Sequence, residues 1–185
     1  EEGYDQMEST PEHIRQNYIS HVSASIISSV AALESKINEH IVDNKTHISE
    51  RILDLDNNFF SQFKQIKQNK NVISQISLIT SPILKYKIIN KIMYENTKIE
   101  NKTEEAVNLI IKIRNALIHF TPEWDNDLIK HKEIEKSVKN HFSLSPLYSD
   151  ESMFFPYRCL SAGCAQWATT TSRSFIEKHF NTCQG

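Results

Sequence analysis

The sequence predicts an all-α fold, a bundle of five to seven helices, and three observations carry that expectation. Only 3 of its 185 residues are Gly and 5 are Pro, which leaves few places for hairpins. Its apolar residues recur at three- and four-residue steps rather than alternating, the period of a helix with one buried face. Hydroxyl–proline pairs, Thr10-Pro11, Ser81-Pro82 and Thr121-Pro122, stand where helices should begin, since the hydroxyl caps free N–H groups and proline suits the first helical position. The length fits one domain, 1–185, with a core over about 10–142 and a C-terminal helical extension over about 150–181.

In chain order, Pro11-Glu12 opens a long helix in which Ile19, Val22, Ile26, Val30, Leu33, Ile37 and Ile41 mark one face to about Asp43. A weaker helix is expected over 46–67, buried through Ile48, Ile52, Leu55, Phe59, Phe60 and Phe63, with a break at Asn69 to Asn71. Val72, Ile73, Ile76 and Ile79 form a short apolar stretch, and Ser81-Pro82 restarts a helix bearing Leu84, Ile88, Ile89 and Ile92. After a polar linker, Thr103-Glu104-Glu105 caps a helix that should stop near Phe120, because Pro122 disfavours helical geometry at Thr121. Another helix runs from Thr121-Pro122-Glu123 to about His141, and a last one covers roughly Arg158 to Phe180.

The formal net charge of −2 is unevenly spread. Residues 1–60 balance at −7, residues 61–102 at +6 and the remainder at −1. The lysine-rich middle fits either a solvated helix face or a phosphate-binding surface. No apolar run is long enough to span a membrane, Glu1-Glu2-Gly3 is not a signal peptide, and three irregularly spaced cysteines do not describe a disulfide framework. A cytoplasmic protein without membrane contact is expected. Glycine-rich phosphate loops and nucleophile elbows are absent from the sequence, which removes P-loop nucleotide hydrolases and α/β-type serine hydrolases.

The densest chemistry lies in Ile113-Arg114-Asn115-Ala116-Leu117-Ile118-His119-Phe120. At about 100° per residue, with Ala106 as zero, Ile110, Ile113, Leu117 and Phe120 fall within about 40° of it, and Val107, Ile111 and Ile118 extend the apolar arc to about 140°. Arg114 lands near 80°, inside the arc, and His119 near 220°, on the polar side with Asn108, Lys112 and Asn115, its i−4 neighbour. An arginine in an apolar arc needs an anion or an exit to water. Glu34 occupies a similar inward position on the first helix, near 80° from Ile26, and is its expected partner. Taken alone, Arg114 equally fits a structural salt bridge or a snorkelling side chain, and His119 a helix C-cap.

Arg114-Asn115 followed by His119 late in an all-α chain resembles the signature of HEPN domains, small helical bundles that include metal-independent endoribonucleases of toxin–antitoxin, abortive-infection and CRISPR systems. The tail from Phe154 to Trp167 also looks like a C-terminal segment of some bacterial HEPN-like proteins. The resemblance implies a HEPN-like fold, an RNA substrate, no cofactor, and a homodimer that brings two copies of the motif to one cleft. It implies catalytic roles for His119 in moving a proton, Arg114 in holding phosphate and Asn115 in orienting the histidine or the scissile group; if the geometry pairs Glu34 with Arg114, that carboxylate would fix the guanidinium for the task. Lys85, Lys87 and Lys91 would contact the RNA. A cognate antitoxin or regulatory protein is a further implied partner, although Thr121 stands where some toxins of the family carry a modifiable tyrosine. The alternative is a HEPN-like module that binds a nucleotide, RNA or a protein without cutting.

Cys159, Cys164, His179 and Cys183 invite comparison with a zinc site, but their spacing is poor and an unbroken helix would separate Cys159 from Cys164 by about 140°, so no metal is expected. The other histidines, including His40, His131 and His141, share no metal motif and read as surface residues. Trp124 and Trp167 read as core or interface anchors.

Overall fold

The structure, a computed structural model, describes residues 10–68, 70–94, 100–119 and 129–181. Every regular element among the described residues is helical. The helices are α1 (Glu12–Asp43), α2 (Lys45–Ile52), α3 (Asn57–Gln62), α4 (Val72–Ser77), α5 (Pro82–Tyr94), α6 (Asn101–Ile118), α7 (Ile129–Val138) and α8 (Ala162–Asn181). A π-type turn, Phe154–Arg158, precedes α8 and contains an extended residue at Phe155. The chain forms two compact units, Glu1–Ala31 with Glu105–Gly185, and Ala32–Glu104.

The long first helix follows its apolar row. Val22, Ile26, Val30, Leu33, Ile37 and Ile41 are all buried, each worth about 1.5–3 kcal/mol of removal from water. In the first unit, Val22, Ile26 and Val30 pack with Ile110 and Ile113 of α6, Ile134 and Val138 of α7, Phe154 and Phe155 of the π-turn, and Cys164 and Ala168 of α8. The segment after residue 150 therefore shares this core. Trp167 is partly buried against the same cluster, its ring 5.4 Å from Phe142 and 5.2 Å from His141.

Helix α8 begins later than expected because a serine caps it. Ser161 Oγ accepts the Cys164 N–H at 2.9 Å and donates to the Ser143 carbonyl at 2.5 Å. Tyr18 OH accepts the Ala162 N–H at 2.7 Å, which ties the same end to α1. Gly163 sits so close to Ser143 that a Cβ would strike its Oγ and lie 2.8 Å from its carbonyl oxygen. The break at Leu160 and Ser161 also means that no unbroken helix joins the two cysteines: Cys159 and Cys164 are free, buried and close enough to act on each other. Interaction with the neighbouring Cys164 thiol, then burial, pushes the Cys159 thiol well above its ordinary pKa.

The second unit departs more from the sequence expectation. The helix expected over 46–67 is divided, because three successive i→i−3 bonds tighten the chain at Leu53, Asp54 and Leu55 and Asp56 Oδ1 then caps the Phe59 N–H at 2.9 Å. Asn71 caps α4 in the same way through the Ser74 N–H at 3.0 Å. Helix α2 packs on α4 and α5. Tyr86 of α5 is buried, and its hydroxyl reaches the Leu33 carbonyl at 3.4 Å. Two histidines expected at the surface are half-buried: His40 lies beside Asn44, and His131 beside Phe155, 5.5 Å between rings.

Two outcomes follow. Gly163→Ala should destabilise the protein by about 1–3 kcal/mol, the usual cost of overpacking, read from the denaturant midpoint. Burial holds the His40 and His179 imidazoles below their ordinary pKa of 6.5. The unfolded chain therefore binds protons first, so the stability these residues contribute is full above pH 6.5 and declines as pH falls below it. Denaturation at stepped pH should show that decline, reduced in His40→Gln and His179→Gln.

Candidate functional site

The last two turns of α6 bring the candidate residues together on one element. Val107, Ile110 and Ile113 are buried and fix which side of the helix meets the core. Arg114 follows at the margin, half-buried, with its Nε shielded from solvent. Asn115 and His119 are exposed. The His119 N–H donates to the Asn115 carbonyl at 2.9 Å, so His119 continues the helical bonding one residue past Ile118. Ile118, on the edge of the apolar arc by the wheel, is 51% exposed. The helix thus presents an exposed imidazole and amide beside a half-buried guanidinium. Phe120, Thr121 and Pro122, expected to end the helix, and Trp124 lie outside the described residues.

Helix α7 flanks this segment in the first unit. Lys112 Nζ lies 3.8 Å from Glu133 Oε2, both side chains substantially exposed, an interaction worth little to stability. Helix α7 packs on the π-turn, where Arg158 is held by the Asp150 carboxylate at 2.6 Å and its carbonyl at 2.9 Å. Among the described residues no group of three or more His, Cys, Asp or Glu side chains is placed to hold a metal, and no helix is long and apolar enough to cross a membrane. Cys183 lies outside them.

No family model, curated protein or solved structure matches this chain.

Glu34, expected to hold Arg114, belongs to the second unit, whereas Arg114 belongs to the first. Glu34 is half-buried, and its charge acts on Lys85. The three lysines expected to meet RNA do not form one solvated face. Lys85 is only 7% exposed, and its Nζ donates to Asn38 Oδ1 at 2.8 Å. Burial lowers its pKa and Glu34 partly offsets that. Lys87 is engaged by Glu104 at 2.5 Å. Lys91 alone of the three is exposed. Helical spacing on α5 concealed this, because a lysine at a buried position reads as a charge until its surroundings are known.

Lys85→Met keeps the stem and removes a buried charge, so its folding stability should stay within about 1 kcal/mol of the parent or exceed it. Chemical denaturation checks this, and a larger loss would mean that the Asn38 bond outweighs desolvation.

Proposed function

We propose that this chain is a HEPN-type endoribonuclease that cuts RNA without a metal or cofactor, acting as a homodimer in the cytoplasm within a bacterial defence or toxin–antitoxin setting. The observation that carries the reading is the arrangement at the end of α6: exposed His119 and Asn115 one turn apart, with Arg114 at the core margin beside them. The all-helical architecture is consistent with the HEPN-like fold the motif implies.

The chemistry needs what these residues carry. The ribose 2′-oxygen attacks the adjacent phosphorus, the bond to the 5′-oxygen breaks, and the products are a 2′,3′-cyclic phosphate and a 5′-hydroxyl. His119 takes the proton from the attacking hydroxyl or delivers one to the leaving oxygen, since imidazole exchanges protons near neutral pH. Arg114 stabilises the negative charge on the phosphorane. Asn115 donates its amide to the phosphate or to His119. About 140° of helix separates Arg114 from His119, so one copy does not aim both at the same phosphate, and a second copy supplies the missing group. Ile118, an exposed apolar side chain next to His119, gives this end of the helix surface to bury in such a dimer.

A second reading is a HEPN-like module that binds RNA, a nucleotide or a protein without cutting. The shielded Nε of Arg114 favours it, because a partly buried guanidinium also serves structure. Incubating the protein with total RNA in EDTA separates the two. Cleavage should appear, and His119→Ala and Arg114→Ala should each reduce it by about 100-fold or more, the usual loss for a proton-transfer or charge-stabilising group. Cleavage untouched by either substitution would reject the nuclease.

A further inference from the structure

Within the lysine-rich stretch of the second unit, exposed charge gathers ahead of α4 and not only on α5, where Lys85, Lys87 and Lys91 are expected to meet RNA. From Asn57 to Tyr94 the chain contains six lysines and no Asp, Glu or Arg. Two of these lysines are committed, Lys85 to burial against Asn38 and Lys87 to Glu104. Lys64, Lys67 and Lys70 lie between α3 and α4, and all three are exposed. No carboxylate pairs with any of their ammonium groups among the described residues.

Their backbone is held. Ile66, between Lys64 and Lys67, is 2% exposed and anchors the segment to the second unit's core, and its N–H donates to the Phe63 carbonyl at 2.8 Å. Gln75 of α4 grips Lys67 from the other side: its Oε1 accepts the Lys67 N–H at 2.8 Å and its Nε2 donates to the Lys67 carbonyl at 2.9 Å. The Lys70 N–H returns to the Lys67 carbonyl at 3.2 Å. Three exposed lysines at every third residue therefore stand on a backbone bonded at Ile66, Lys67 and Lys70.

We propose that Lys64, Lys67 and Lys70 form the phosphate-contacting surface of the second unit and that it holds single-stranded RNA. This identification of the polyanion rests on the RNA-directed reading above. Clustered lysines with no carboxylate ion-paired to them among the described residues bind a polyphosphate by displacing its condensed counterions. The exposed amides of Gln65 and Gln68 beside them suit unpaired base edges, which a single strand offers and a duplex hides. The segment is also short, whereas a module that recognises duplex RNA by shape spans about 16 base pairs.

The test uses the full chain carrying His119→Ala, in EDTA, with a fluorescent unstructured RNA of about 12 nucleotides titrated at several salt concentrations. Changing Lys64, Lys67 and Lys70 together to Gln should weaken binding about tenfold or more at low salt and reduce the slope of log K against log salt by about 2, at about 0.7 for each phosphate no longer neutralised. Lys132, Lys136 and Lys139, exposed lysines in and just after α7, provide a control of equal charge whose change to Gln should leave both quantities as they were. An unaltered slope in the first variant, equal weakening in the control, or an effect confined to binding of anionic lipid vesicles would each overturn the proposal. RNA binding that depends on the three lysines, with cleavage indifferent to His119 and Arg114, would leave this surface standing and reject the nuclease. A parent chain that binds no RNA would reject both.

Discussion

The apolar row along α1 is the constraint on which the rest depends. Its lower half, Val22 to Val30, is buried among α6, α7, the π-turn and α8, and its upper half, Leu33 to Ile41, is buried in the second unit. One continuous helix of 32 residues, about 48 Å long, thus supplies buried side chains to both units. Isolated helices gain little from propensity alone and depend on burying such a face. Everything that positions α6, and hence Arg114, Asn115 and His119, starts from how Val22, Ile26 and Val30 are covered.

Water exclusion then sorts the polar and charged side chains into those the fold takes from solvent and those it leaves in it. Lys85 has lost most of its solvent and leans on Asn38 and Glu34. Arg114 sits between the two regimes, half-buried beside Ile113. Asn115, His119, Lys64, Lys67 and Lys70 keep their solvent, so binding to them displaces water rather than dismantling packing. The same sorting explains the histidines: His40 and His179 are held toward neutrality by burial.

Much of this was legible in the residues, because helix period and burial are coupled so tightly. The row from Val22 to Ile41, the restart at Pro82 and the sidedness of α6 follow from spacing and from the Ser81-Pro82 pair, whereas Val72 to Ile79 read only as an apolar stretch and not as the helix α4. What escaped were features set by single side chains acting across the chain. Asp56 capping Phe59 splits a helix that periodicity joins, Ser161 capping Cys164 delays α8, and Glu100, accepting the Glu104 N–H through its carbonyl, accompanies a start of α6 at Asn101 rather than at Thr103. The burial of Lys85 was illegible for a related reason: its position on α5 is apolar by packing but charged by sequence. The roles proposed for Arg114, Asn115 and His119 rest on their chemistry and on their position along α6.

The paired thiols of the first unit have a further use. All three cysteines of the chain lie beyond residue 105, and residues 32–104 contain none. Cys159 and Cys164 have no solvent exposure, and the Cys159 proton is held more tightly than usual. An alkylating reagent reaches them only when the core around Phe155 and Cys164 opens. The rate at which those two sulfurs acquire label is therefore a native clock for one half of the molecule, blind to the other, and readable without introducing a probe.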